Sequence, residues 1–262
     1  MTLQTFTLVS LFFITAILYS AVGFGGGSTY TALLVLTNET YLLIPILSLN
    51  CNIIVVLGNV IFALKRKLID FKSAFPLVAL SVPFSFIGGA IPISELFFVS
   101  ILAVVLFGAG VQMLRTPIAY SDKSETTPVP NLNRIKAGAI GGGLGFVAGL
   151  VGIGGGIFLA PILHALKWDH TRNIAAICSL FILVNSCAGL LGQFTKLGVP
   201  ELQTALQGNW VLLGAVFLGG IIGRNVSFSF LSENVIKKIT AGLILVVAIR
   251  LAFKAMQILN GA

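Results

Sequence analysis

Three consecutive glycines interrupt a long apolar stretch at two places in this chain. The first interruption lies in Val22–Gly27, with the sequence VGFGGG, and the second in Val151–Gly156, with the sequence VGIGGG. A glycine destabilises a helix interior by about 1 kcal/mol relative to alanine, and a helix that breaks inside a bilayer exposes N–H and C=O groups that no water satisfies. Because the chain repeats this break at matching places, we expect the exposed backbone to serve a function.

The composition predicts a membrane protein built from helices. Of the 262 residues, 57% are hydrophobic and only 9% are charged, and the mean hydropathy is +1.04, whereas soluble domains carry about 25% charged residues. We therefore expect an all-α, polytopic protein of the plasma (inner) membrane. Six further apolar runs come close to the roughly 20 residues that cross a bilayer as a helix: Leu42–Leu64, Ala74–Ile93, Leu96–Leu114, Asn173–Gln193, Ala205–Ile222 and Val235–Met256.

The charged residues and cysteines argue against several other classes of protein. The net charge is +8, but the basic residues are spread between the apolar runs, where they set membrane topology, so we expect no nucleic-acid partner. Cys51, Cys178 and Cys187 lie inside apolar segments, which argues against a disulfide framework. No nucleophile stands at the spacing of a base and no cluster has metal-ligand spacing, so we expect no enzyme, no cofactor and no metal site.

The chain divides into two similar halves. The polar stretch 116–133 predicts a cytoplasmic linker between a first transmembrane repeat, 1–115, and a second, 134–262. Gly25–Gly27 recur 129 positions later as Gly154–Gly156, and both Ser48 and Gly88-Gly89 recur 131 positions later, as Ser179 and Gly219-Gly220. Single matches of this kind are weak, but their common register indicates an internal repeat, as in many transporters.

Each half begins with a glycine-broken segment, Phe6–Leu36 or Ala137–Leu166. About 30 residues in one straight helix would extend ~45 Å, which is too long for a hydrocarbon core of ~30 Å. Each segment is therefore either one distorted span or a hairpin of two shorter helices. The hairpin makes the repeats inverted and agrees better with the positive-inside rule. It places five basic residues inside (Lys167, Arg172, Arg224, Lys237 and Lys238) and three outside (Lys196, Arg250 and Lys254).

The glycine breaks predict an anion site. A half-helix that begins in mid-membrane presents free N–H groups and about half a positive charge at its N-terminus, and such ends bind anions. Gly25, Gly26 and Gly27 are followed by the hydroxyls of Ser28 and Thr29, whereas Gly154, Gly155 and Gly156 are followed by Ile157 and Phe158. The two halves of the site are thus chemically unequal. The alternative is that the glycines only permit close helix packing, which best explains the ridge Ala137, Gly141, Gly145 and Gly149.

Polar side chains within the apolar runs are further candidates for the site. The alternative is that they form hydrogen bonds between helices. All eight carboxylates fall at span ends or in loops, which leaves no buried proton relay and suits an anionic substrate. His164 is a candidate ligand or proton carrier, and Arg224 is either an anion partner at a cytoplasmic vestibule or a topology anchor. The candidate ligands in the second span of each half are Ser48, Asn50, Asn52, Ser179 and Asn185.

The chain resembles the sulfite exporter TauE/SafE family of membrane anion transporters. The resemblance rests on the paired segments Gly23–Gly27 and Gly152–Gly156, on Pro161 after the second copy, and on the two multi-span halves. It implies a plasma-membrane transporter of sulfite, thiosulfate or a small organosulfonate, and we expect export. Proton- or sodium-coupled uptake is the alternative, followed by an anion channel.

Overall fold

The computed structural model describes residues 3–115, 133–166, 168–196, 203, 209–225 and 233–260. No strand occurs within these ranges, and the all-α prediction is confirmed. Residues 116–132 of the expected linker lie outside the described residues. The helices whose bounds are defined are α1 Leu3–Ala21, α2 Gly27–Leu36, α3 Leu43–Lys65, α4 Phe71–Ala90, α5 Glu95–Arg115, α6 Arg134–Val151, α7 Gly156–Ala165, α8 Thr171–Lys196, α9 Trp210–Asn225 and α10 Glu233–Leu259.

The longer helices have the length and surface that a bilayer requires. Six of them, in α3–α6, α8 and α10, are long and apolar enough to cross a membrane. Large apolar side chains point outward from several of these helices, among them Phe75, Val104 and Phe253, which are 70%, 73% and 64% exposed. Outward apolar side chains are stable only against lipid or another protein. The chain is therefore a multi-pass membrane protein.

The first glycine break reverses the direction of the chain. The rings of Phe12 in α1 and Tyr30 in α2 lie 4.9 Å apart between centroids, although 18 residues of continuous helix would separate them by about 27 Å. Tyr19 and Thr29 also join through their hydroxyls at 2.9 Å. Gly26 begins the return with φ of 84°, in the left-handed region that glycine adopts without strain. Helices α1 and α2 therefore form a hairpin, with α2 packed back along α1.

The second break repeats this turn. A Cβ atom built on Gly155 would lie 3.3 Å from Ala148 Cβ and 3.4 Å from the Leu144 carbonyl oxygen. These neighbours precede Gly155 by 7 and 11 residues. The neighbours of Gly26 are Tyr19 and Thr15, which precede Gly26 by the same 7 and 11 residues. Helices α6 and α7 therefore form a hairpin like that of α1 and α2.

The two halves pack through matching helix pairs. Helix α4 packs on α6 and α8 of the other half, as α9 packs on α1 and α3, and the last helices of the halves, α5 and α10, pack on each other. Small residues allow these contacts: Gly141, Gly145 and Gly149 of α6 lie directly on backbone carbonyls of α4. Their backbones approach closely because no Cβ intervenes. The prediction that this ridge serves packing is confirmed.

Polar contacts mark one end of the bundle. Arg250 of α10 donates to the Leu36 carbonyl at 3.2 Å and to Asn38 Oδ1 at 3.1 Å. Lys254 forms an ion pair of 2.7 Å with Glu95, the first residue of α5. We call this end the Glu95 end. The opposite end, where α3 finishes, we call the Lys65 end, and there Ala63 and Ile69 pack with Ala176 near the start of α8.

Candidate functional site

Asn52, near the middle of α3, lies where the two glycine breaks meet. Its side chain is fully buried, and its Nδ2 donates to the Ile153 carbonyl in the second break at 3.1 Å. A Cβ atom on Gly25 or Gly27 would collide with the Asn52 amide, and one on Gly154 would lie 2.7 Å from its Nδ2. The glycines thus leave room for a single amide that touches both breaks. Gly25, Gly27, Gly154 and Asn52, four of the predicted site residues, therefore lie side by side.

Both half-helices start at this point without a capping side chain. Their N-caps, Gly26 and Gly155, have left-handed φ of 84° and 77° and no side-chain hydrogen bond. Within the described residues no hydrogen bond is found from the backbone N–H groups of Gly27 and Ser28, or from those of Gly156 and Ile157. Free N–H groups and the helix dipole make each start electropositive. Two such starts converge on Asn52.

Two oxygen atoms beside the breaks have no partner in the described part of the chain. They are Asn52 Oδ1 and Ser186 Oγ, both on fully buried residues. Ser186 Oγ lies 3.0 Å from the position that a Cβ atom on Gly154 would take. A buried polar atom without a partner is unusual in a folded protein. Both atoms accept hydrogen bonds, so the junction also offers a place to a ligand that donates one.

The equivalent serines of the two halves both hold the first break. Ser48 Oγ donates to the Gly27 carbonyl at 3.0 Å and accepts from Thr31 at 3.0 Å. Ser179 Oγ donates to the carbonyls of Gly23 and Ala175. The hydroxyl groups of Ser48 and Ser179 are thus engaged with backbone carbonyls. They position the break from α3 and α8, on its two sides.

The remaining predicted ligands lie apart from the junction or bond elsewhere. Asn50 is half-buried and donates to the Ile46 carbonyl at 2.9 Å, two residues and about 200° around α3 from Asn52. Asn185 Nδ2 donates to the Phe181 carbonyl at 2.8 Å. His164 stands eight residues after Gly156, or about 12 Å along α7. Thr29 is buried and pairs with Tyr19.

Ser186 belongs to the polar residues of the same apolar run, but the predicted ligands include its neighbour Asn185 instead. An amide is the stronger polar signal in an apolar span, but successive residues of a helix point about 100° apart. Asn185 therefore lies at the contact of α8 with α4, where its backbone carbonyl accepts from Ser85 at 2.8 Å. Only the packed face of α8 shows that the serine is the residue beside Gly154.

Within the described part of the chain, negative charge lies away from the junction. The carboxylates with described side chains lie in loops or at helix starts: Glu39, Asp70, Glu95 and Asp169. Asp70 caps α4, and hydrogen bonds from Ser73 and from the Lys72 backbone hold the pKa of its carboxyl below the usual range. An anion at the junction would therefore meet helix dipoles and N–H donors without a nearby described carboxylate.

The described residues form a multi-pass, helical membrane protein whose two glycine breaks meet at Asn52, and broken helices of this kind occur in many secondary transporters. The family model of the sulfite exporter TauE/SafE family matches residues 8–251, and the chain belongs to this family. It is similar to a probable membrane transporter protein, y4hK, of Sinorhizobium fredii, with 31% identity over 92% of this chain and 95% of that protein. It is also similar to a probable membrane transporter protein of Haemophilus influenzae, with 37% identity over 30% of each chain. No solved structure matches the chain.

Proposed function

We propose that this protein exports a small sulfur-containing anion, such as sulfite or an organosulfonate, and binds it at the junction of the two glycine breaks. The observation that carries the proposal is the convergence of two uncapped half-helix starts on Asn52 at the middle of α3. Helix N-termini bind anions through free N–H groups and the dipole. The family name and the relatives, which are named as transporters, support the same class of function.

The chemistry of the junction fits a weakly held anion. A sulfonate or sulfite group has three oxygens that accept hydrogen bonds, and N–H groups from both breaks are available to donate. These donors are neutral, so they hold the anion without the full countercharge of lysine or arginine. Release is correspondingly easy, which a transporter needs more than tight binding. Asn52 Oδ1 and Ser186 Oγ would accept a hydrogen bond from the O–H group of hydrogensulfite or of a hydroxyalkyl sulfonate.

The packing of the halves supports alternating access. Residues 1–115 and 134–262 would form inverted repeats joined by the cytoplasmic segment 116–133. Hairpin α1–α2 opens at the Glu95 end, where Leu36 meets Arg250, and hairpin α6–α7 leads to the start of α8 at the Lys65 end. Rocking of one repeat against the other would expose the junction first to one end and then to the other.

The membrane potential supplies a driving force for export. With the inside negative, an anion gains about 2.3 kcal/mol per charge per 100 mV on leaving the cell. Export of a monoanion therefore needs no coupled ion. Uptake does need one, and the two unpartnered oxygens, Asn52 Oδ1 and Ser186 Oγ, favour Na⁺ or H⁺ coupling as the second candidate, because unwound segments hold such ions through oxygen ligands.

Flux in proteoliposomes tests the proposal. Proteoliposomes that contain the purified protein are loaded with sulfite, thiosulfate, sulfate or ethanesulfonate. Efflux of the anion is then measured at an imposed potential, with and without a gradient of H⁺ or Na⁺. We expect saturable, potential-driven efflux of at least one sulfur anion that is indifferent to both gradients. Flux that requires a gradient favours coupled uptake, flux that does not saturate favours a channel, and no flux of any of these anions refutes the proposal.

A further inference from the structure

Arg224 places a positive charge inside the apolar part of the bundle. It lies in the last turn of α9, is half-buried, and rests on Gly58 of α3. A Cβ atom on Gly58 would overlap Arg224 Nη1 and would lie 3.0 Å from Cζ and 3.8 Å from Nε. Gly58 precedes Lys65 by seven residues, which places the guanidinium about 10 Å inside the end of α3. A charge at such depth is rare and usually functional.

The surroundings of Arg224 offer donors. Among the described side chains no carboxylate lies within 4.0 Å of its guanidinium. Asn59, beside Gly58, is 7% exposed, and its Nδ2 has no partner in the described residues. Its Oδ1 accepts from Ser20 at 3.2 Å, and Ser20 also donates to the carbonyl of Gly220 at 2.8 Å. Gly220 stands one turn before Arg224 on α9, so Asn59 and Arg224 both lie where α3 meets α9.

Arg224 has no charged counterpart at the equivalent position of the first half. Under the 131-residue shift between the halves, Gly58 corresponds to Gly189 and Arg224 to Ile93. A Cβ atom on Gly189 would meet Gly149 Cα at 3.0 Å and Ser85 Oγ at 3.1 Å, and no cation. Helix packing therefore needs a small residue at both positions, but it does not need the arginine. The charge is an addition to the repeated architecture at the Lys65 end.

We propose that Arg224 and Asn59 form a second anion-binding station, which loads the junction at Asn52 from the Lys65 end. The six residues from Asn52 to Gly58 span about 9 Å, a short step for a sulfonate. A guanidinium binds two oxygens of such a group as a fork. Half-exposure keeps the pairing exchangeable, so the station raises the local concentration of the anion. This inference rests on the proposed transport function.

Charge replacement in proteoliposomes tests the station. Arg224→Gln is compared with Arg224→Lys and with Lys136→Gln, which removes an exposed cation of α6 at the same end. We expect Arg224→Gln to raise the KM for ethanesulfonate or sulfite, measured from the Lys65 side, about 10-fold with less change in kcat. We expect Arg224→Lys to retain most of the affinity and Lys136→Gln to leave KM unchanged. A KM within twofold of wild type for Arg224→Gln, or an equal rise for Lys136→Gln, overturns the station.

Gly58→Ala provides a second route to the same answer. The added methyl group overlaps Arg224 Nη1 and should displace the guanidinium, so KM should rise about as far as in Arg224→Gln. The double variant Gly58→Ala/Arg224→Gln should be no worse than Arg224→Gln alone. If the effects of the two substitutions on KM instead multiply, the proposed station is refuted and Gly58 acts through packing. Absence of transport by the wild type refutes the proposed function as well, whereas normal transport with an unchanged Arg224→Gln refutes only the station.

Discussion

Replacing Asn52 by aspartate tests the junction with almost no change of shape. The substitution exchanges Nδ2 for a negatively charged oxygen and removes the 3.1 Å hydrogen bond to the Ile153 carbonyl. The new carboxylate would lie beside the same free N–H groups that we assign to the substrate. It therefore acts as a tethered anion that competes for the site, and we expect Asn52→Asp to abolish transport at ordinary substrate concentrations.

The size of the effect follows from the contacts. The lost hydrogen bond, with a carbonyl left facing another acceptor, costs about 1–3 kcal/mol of stability. A carboxylate about 4 Å from a bound monoanion repels it by roughly 4 kcal/mol at an effective dielectric constant of 20. Since 1.4 kcal/mol corresponds to a factor of ten, anion affinity should fall by about three orders of magnitude. The electrostatic effect on binding is thus larger than the effect on folding.

The chain provides a matched control two residues away. Asn50→Asp makes the same chemical change on α3, but Asn50 is half-buried and bonds locally to the Ile46 carbonyl. We expect transport by Asn50→Asp within about threefold of wild type. Substrate-dependent efflux from proteoliposomes gives KM, and size-exclusion chromatography after heating gives the stability of each variant. A folded Asn52→Asp protein with a KM within threefold of wild type would refute the assignment of the junction as the anion site.

Three further predictions concern the bends, the Glu95 end and the α4 cap. Gly26→Val and Gly155→Val should each abolish transport, because valine at φ of 84° or 77° is strained by at least 1–2 kcal/mol. The control variant Gly143→Val should be active, because a Cβ atom at Gly143 meets nothing within 4 Å. Equal flux in all three variants would contradict the role of the bends. The double variant Arg250→Ala/Lys254→Ala removes the polar contacts of α10 with Leu36, Asn38 and Glu95. Exposed contacts contribute about 1 kcal/mol or less each, so we expect the counterflow rate to change up to about fivefold. An unchanged rate would show that these contacts do not bias the conformation. Asp70→Ala should lose about 1 kcal/mol of stability, because the helix cap of α4 is removed. Since the pKa of Asp70 is lowered in the folded protein, the loss should be full above about pH 4 and should vanish as the pH falls further. A difference in melting temperature between Asp70→Ala and wild type that persists at pH 2 would show that the cap is not electrostatic.

The sequence predicted the architecture well because lipid imposes simple rules. Apolar runs of about 20 residues became helices, and the glycine ridge of α6 became the contact with α4. The choice between a distorted span and a hairpin was harder, since both have the same composition and length. It depends on tertiary contacts such as the 4.9 Å approach of Phe12 and Tyr30, which connect residues 18 positions apart and leave no periodic pattern in the sequence.

The candidate site was predicted less completely, because helix orientation decides which polar residue faces it. Asn50 and Asn52 are chemically identical and lie in the same apolar run, yet only Asn52 reaches both breaks. Ser48 and Ser179 occupy equivalent positions in the repeat, and that equivalence points to a shared role. Both hydroxyl groups hold carbonyls of the first break, so the two serines lie beside the junction with their hydroxyl groups already engaged.

The departures from the repeat carry more functional information than the repeat itself. Two similar hairpins are enough to bring a pair of electropositive helix starts together, and that symmetric part explains why an anion would be bound. Symmetry alone does not make the site select one anion or one direction of loading. Under our proposals the asymmetric residues supply both, because Asn52 of α3 has no amide at the equivalent Leu183 of α8, and Arg224 corresponds to Ile93, which lies beyond the end of α4. Exchanging these residues between the halves should therefore change selectivity and sidedness while leaving the fold intact.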